Sequence, residues 1–183
     1  MSSHLDIIGS VIIAGMIILN FTVFMGERQE SQIESTNKIT TQTDMSEVTS
    51  TLRHDLRKVG YGCDSIPIIT ATSSTFAFRT DLDNNGKIDT VSYIFTPDLT
   101  NTTTKRLLLF RIVNGRKQPG YDLGLTDFAF KYYRTNSYGT LSETTSVTDI
   151  HAISVSLRLQ SKMKVEDGYQ YSQNEFTVSP KNL

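Results

Sequence analysis

Tryptophan is absent from the 183 residues, cysteine occurs once, at Cys63, and proline occurs only four times. A single cysteine excludes an intramolecular disulfide, and Cys63 is expected to be a small buried residue. The first proline is Pro67, so no ring interrupts a helix before it. Histidine is scarce too: His4, His54 and His151 are scattered, without the spacing of metal ligands. No glycine-rich phosphate loop, nucleophile elbow or Cys–His pairing occurs, and the chain is expected not to be an enzyme. Charge of one sign is lacking as well, with 18 Lys and Arg against 19 Asp and Glu. Setting aside Asp6, the only acid before Glu27, leaves 18 against 18. That balance gives no footprint for nucleic acid, and none is expected as a partner.

What the chain does have is one long stretch without charge. In MSSHLDIIGSVIIAGMIILNFTVFMGERQE no charged residue falls between Ile7 and Gly26, a run of 20 residues. About 20 apolar residues suffice to cross a hydrocarbon core as a helix. Gly9, Ser10, Gly15, Asn20 and Thr22 interrupt the run. These are the small or weakly polar types that let membrane helices approach one another. A secretory signal peptide would have a basic start, a shorter core and a small-residue cleavage point. Here no Lys or Arg precedes the run, and Met25-Gly26-Glu27-Arg28 follows Phe24. An uncleaved anchor is therefore expected. Asp6 stands at its lip, where a carboxylate is costly inside the bilayer but favourable if it lies solvated near a helix N-terminus.

Beyond the anchor the pattern stays helical and turns polar. Met45, Val48, Leu52, Leu56 and Val59 fall three and four apart and define one apolar face. Arg53, Asp55, Arg57 and Lys58 are read as lying off that face. Gly60 and Gly62 supply a stop. After Cys63 the period changes to two, in STFAFR, TVSYIF, DFAFKYY, HAISVSLRLQS and EFTV, while KRLLLFRIV reads as a central strand. The turn-forming stretches DLDNNGKID, VNGRKQPG, RTNSYGTLSE and KVEDGYQ separate these runs. Short connections imply an antiparallel sheet. An apolar helix face and an apolar sheet face bury each other in a two-layer α+β domain. The expected divisions are 1–26, a hydrophobic membrane helix; 27–62, a polar to amphipathic continuation; and 63–183, an antiparallel β domain.

The turn Asp81-Leu82-Asp83-Asn84-Asn85-Gly86-Lys87-Ile88-Asp89 matches the first nine positions of a calcium loop. Asp81, Asp83, Asn85 and Asp89 would offer side-chain oxygens and Lys87 its carbonyl, with Gly86 at the sharp bend. An EF-hand is excluded, because the flanks read as strands and position 12 is Ser92. Two readings stay open: a looser Ca2+ site on a hairpin, or a plain turn made of the residues that tight turns favour. Tyr132 and Tyr133, beside Lys131 and Arg134, read as sheet surface rather than as a platform for a base or sugar.

A hydrophobic N-terminal helix with an acid near its start, an amphipathic continuation and a C-terminal antiparallel sheet resembles the type IV pilin-like proteins. Within them, LRHDLRKVGYG, FRTDLDNNGKIDTVSYIF, LLLFRIVNG, LGLTDFAFKYY, IHAISVSLRLQSK and FTVSPKNL follow in an order similar to that of PilW-type minor pilins, which are related to the J-type pseudopilins of type II secretion. The resemblance implies a long helix packed on an antiparallel sheet. It also implies a structural role in a type IV pilus or a type II secretion-like filament. Other pilin-like subunits, inner-membrane assembly machinery and membrane lipid would be the partners, and the domain would lie outside the inner membrane. The family's cleavage pattern, a basic leader with Gly and Phe at the cut, is not matched here. With Met1 removed, however, Asp6 becomes the fifth residue, where the family keeps a glutamate that meets a neighbour's N-terminal amine. Asp6, Gly9 and Gly15 would then serve assembly. Some members of the family bind calcium to order a loop. The rival expectation is a membrane-tethered extracytoplasmic binding module, with Ca2+ on the acidic turn.

Overall fold

The computed structural model describes the backbone of residues 2–98, 107–118, 121–164 and 168–183, and their side chains apart from 2–6 and 121–123. One helix, α1 (Ser2–Arg57, 56 residues), comes first. At about 1.5 Å per residue it is roughly 84 Å long. The threonine-rich stretch before Met45 continues it without a break. There Thr36, Thr41 and Thr43 return their hydroxyls to the carbonyls of Gln32, Asn37 and Ile39 at 2.8–2.9 Å, which keeps these indifferent helix formers compatible with the ladder. The helix ends where Gly60 (φ 77°) and Gly62 (φ 72°) take up left-handed backbone. A side chain at Gly60 would also meet the Asn182 carbonyl at 2.7 Å, so the chain's end closes over this stop.

Among the described residues nine strands follow: β1 (Ile68–Ala71), β2 (Thr75–Thr80), β3 (Asp89–Pro97), β4 (Leu107–Val113), β5 (Arg116–Lys117), β6 (Tyr121–Thr135), β7 (Leu141–Glu143), β8 (Ala152–Gln160) and β9 (Tyr171–Val178). They form one antiparallel sheet in the order β1-β2-β3-β4-β6-β8-β9, with β5 added to β4 and β7 to β6. The expected strands are all present, and β4 is central. It is only half-buried apart from Leu109, so its apolar run reflects position more than depth. At Asn114 (φ 50°) and Gly115 (φ 76°) the chain makes the left-handed pair that a two-residue hairpin needs. Strands β1, β5 and β7 are too short to show a period of two. Part of the KVEDGYQ turn, 165–167, lies outside the described residues.

The sheet's inner face carries Phe76, Phe78, Val91, Tyr93, Phe95, Phe130, Tyr132, Val155, Leu157, Leu159, Phe176 and Val178, all buried. Met45, Val48, Leu52 and Leu56 of α1, with Val59 in the turn just beyond it, complete this core. The fold is therefore α+β, a long helix on an antiparallel sheet. Three expectations need correction. Asp55 lies on the apolar face and is 2% exposed, because it follows Val48 by seven residues and Leu52 by three, positions that share one side of a helix. Tyr132 points inward, its hydroxyl donating to the Thr72 carbonyl at 2.7 Å. Cys63 is half-exposed in the turn after the helix, where partial burial pushes its thiol pKa up.

Candidate functional site: the exposed helix and the acidic turn

Between Ile7 and Met25, thirteen large apolar side chains are 49–68% exposed, from Phe24 to Leu19. Nothing else in the described chain covers them. In water so much apolar surface is unstable without a covering phase or partner. The polar interruptions are closed internally. Ser10 Oγ donates to the Ile7 carbonyl at 2.8 Å, Asn20 Nδ2 to Met16 at 2.8 Å and Thr22 Oγ1 to Ile18 at 2.9 Å. These donors are thus suited to hydrocarbon, where an unmade hydrogen bond is expensive. Among the described residues one helix, at the N-terminus, is long and apolar enough to span a membrane. A Cβ at Gly9 or Gly15 would touch nothing within 4 Å, so no intramolecular contact requires glycine at either place. Asp6 belongs to α1 by its backbone, and its side chain lies outside the described residues.

The acidic turn joins β2 to β3. Asp81 is 6% exposed, and one carboxylate oxygen each from Asp81, Asp83 and Asp89 lie within 4.8 Å of one another. The loop closes on its own amides: Asn85 N and Gly86 N donate to the two oxygens of Asp81 at 3.0 and 2.9 Å. Leu82 N donates to Asp89 Oδ2 at 3.2 Å. Asn85 Nδ2 donates to Asp83 Oδ2 at 2.8 Å, while its Oδ1 accepts from Lys87 N at 2.8 Å. The left-handed conformations of Asn84 (φ 61°) and Gly86 (φ 79°) let the chain curl around the carboxylates. Sequence reasoning missed Asn114. Its Nδ2 donates to Asp89 Oδ1 at 2.6 Å and its Oδ1 accepts from Thr90 N at 2.9 Å, tying the β4–β5 turn to this loop.

A second polar group joins helix to sheet. Tyr93 on β3 donates its hydroxyl to Asp55 Oδ2 at 2.5 Å, and Arg111 on β4 donates Nε to the same oxygen at 2.7 Å. Burial first, and then the neighbouring Asp55 charge, raise the Tyr93 phenol well above its ordinary pKa, so it stays a neutral donor. The cleft beside this group has about 20 Å3, space for about one water. Its job is to hold the helix to the sheet. His54 is exposed on α1, and His151 is exposed just before β8.

Comparison of the chain with family models, curated proteins and solved structures gives no match. The chain is thus defined by its own architecture: an α+β domain carried on the distal half of a helix whose proximal half can span a membrane.

Proposed function

We propose that this chain is a structural subunit, a minor pilin or pseudopilin, that assembles through Ile7–Met25 into a type IV pilus or type II secretion-like filament, or primes one. The observation that carries this reading is the continuity of α1. One unbroken helix is bare over its apolar half and built into the domain core over its distal half. A plain tether needs no such rigid link. Rigid continuity lets helix-to-helix docking in the membrane set the position of the domain outside. The partners are other pilin-like subunits, lipid and the assembly machinery of the inner membrane, and the role is not enzymatic.

The roles of Asp6, Gly9 and Gly15 are tested together. Asp6→Ala leaves membrane insertion unchanged and abolishes co-purification with sheared filaments. Leucine at Gly9 or Gly15 reduces incorporation at least several-fold, by holding neighbouring helices apart. Normal incorporation of all three variants would reduce the helix to a tether.

The convergence of three carboxylates favours a subordinate reading, in which the β2–β3 turn holds Ca2+ and stiffens the domain. Asp81, Asp83 and Asp89 would supply side-chain oxygens, with Asn85 and the Lys87 carbonyl completing the set. Calcium at millimolar concentration then raises the domain's melting temperature, and Asp81→Asn removes the rise. No calorimetric heat and no thermal shift would leave a plain turn.

A further inference from the structure

The sheet's two edges are built differently. β1 is four residues long and irregular between Ile68 and Thr70, the kind of edge that resists pairing. β9 is eight residues long and pairs with β8 without a bulge from Tyr171 to Val178. It contains no proline, glycine or lysine, and its one charge is Glu175. Among the described residues no strand pairs with its outer side. An edge strand presents alternate N–H and C=O groups outward, and apart from Glu175 this one lacks the proline, lysine, bulge or shortness that blunts such an edge.

That edge runs along a groove beside α1. Asn174 Nδ2 donates to Thr49 Oγ1 at 3.1 Å, Arg53 lies 4.6 Å over the Phe176 ring, and Arg57 borders the groove with Val178. Four residues of helix thus match two of strand, about 6 Å against roughly 6.7 Å, so the two elements run side by side in step. Two clefts, of about 340 and 540 Å3, open along this line and share Arg53. Arg53 and Arg57 are both exposed, and neither has an ion-pair partner among the described residues. Among the described residues Glu175 is the only acid lining the two clefts, and by the strand's alternation it belongs to the sheet face away from α1.

We propose that the groove between α1 and β9 receives an extended acidic segment of another polypeptide, which adds as a further strand to β9 with carboxylates two residues apart on Arg53 and Arg57. Backbone pairing supplies the register, as in other cases of strand addition. The two arginines, four residues apart on α1 and so about 6 Å along its axis, close to one strand repeat, select acid-x-acid in the partner through charge-assisted hydrogen bonds. Recognition here is independent of how the anchor assembles, since the groove lies wholly on the domain.

The test uses the full chain in neutral detergent micelles and two ten-residue synthetic peptides, one alternating Glu and Thr, the other alternating Gln and Thr. Amide hydrogen exchange is followed across residues 171–178. At millimolar concentration the acidic peptide slows exchange in β9 several-fold and the Gln peptide does not. In an Arg53→Gln/Arg57→Gln chain, with exchange in β8 unchanged as proof of folding, the acidic peptide binds about tenfold more weakly. Three results would overturn the proposal: no slowing, equal slowing by both peptides, or equal binding by the double variant. Protection of β9 that grows with protein concentration and needs no peptide would assign the edge to a second copy instead.

Discussion

Arginine at both Ile13 and Leu19 is expected to release the chain from membranes while leaving its domain folded. Each arginine near the centre of a spanning helix costs about 2.5–3.5 kcal/mol on insertion scales. Two would cost about 5–7 kcal/mol, shifting the partition by roughly four orders of magnitude. Both side chains are more than half exposed and belong to the uncovered half of α1, so the domain loses no packing. Flotation on lipid vesicles measures the first effect and thermal unfolding the second. Exchanging the two residues for other aliphatics changes neither. If the arginine variant floated normally, the apolar half of α1 would not be what holds the chain to lipid. If it lost membrane binding and thermal stability together, the two halves of the helix would not be the separable devices described above.

Asp55→Ala is expected to destabilise the domain severely, costing about 3–5 kcal/mol, the usual effect of removing one partner from a buried ion pair. Asp55 is 2% exposed and Tyr93 1% exposed. The substitution leaves the Tyr93 hydroxyl without its acceptor, deprives the Arg111 guanidinium of its counter-charge and opens a void beneath the helix. For a domain of this size the loss corresponds to a fall in melting temperature of about 10 °C or more. Tyr93→Phe removes one hydrogen bond to a charged group and costs about 1.5–3 kcal/mol, because Arg111 still compensates the carboxylate. The order matters more than the values: Asp55→Ala well below Tyr93→Phe, measured by chemical unfolding of the full chain in micelles. Equal effects would mean that Asp55 acts through the Tyr93 hydrogen bond alone and that its pairing with Arg111 adds nothing. Because the network ties α1 to β3 and β4, the Asp55 variant should also speed amide exchange in the last turns of the helix.

Much of this was legible in the sequence, for reasons that can be traced to particular residues. Ile7 to Gly26 is charge-free over 20 positions, and no soluble element of this chain could bury it, so an exposed apolar helix followed from length alone. Met45, Val48, Leu52, Leu56 and Val59 declared the buried helix face through their spacing. Phe76 with Phe78, and Val91 with Tyr93 and Phe95, declared two inner strand faces through alternation. Such periods are written into neighbouring residues and need no knowledge of the rest of the fold.

The tertiary structure decided what local periods do not carry. Asp55 looked like a solvated charge beside Arg53 and Arg57; its burial depends on Tyr93 and Arg111, 38 and 56 residues away. Asn114 joins the acidic turn from 25 residues beyond Asp89. The β9 groove exists because Thr49 meets Asn174 across 125 residues. Strand order, and with it which edge stays open, is set by pairing between distant segments, and a period of two gives the face of a strand but never its neighbour. The sequence by itself therefore determined the membrane-length helix, the helical core face and the alternating strands, since each minimises exposed apolar surface within a short window. Only the folded chain decided which charges became buried partners, which carboxylates converged and which strands stand at the sheet's edges, since those follow from contacts that form once the whole sheet has closed on α1.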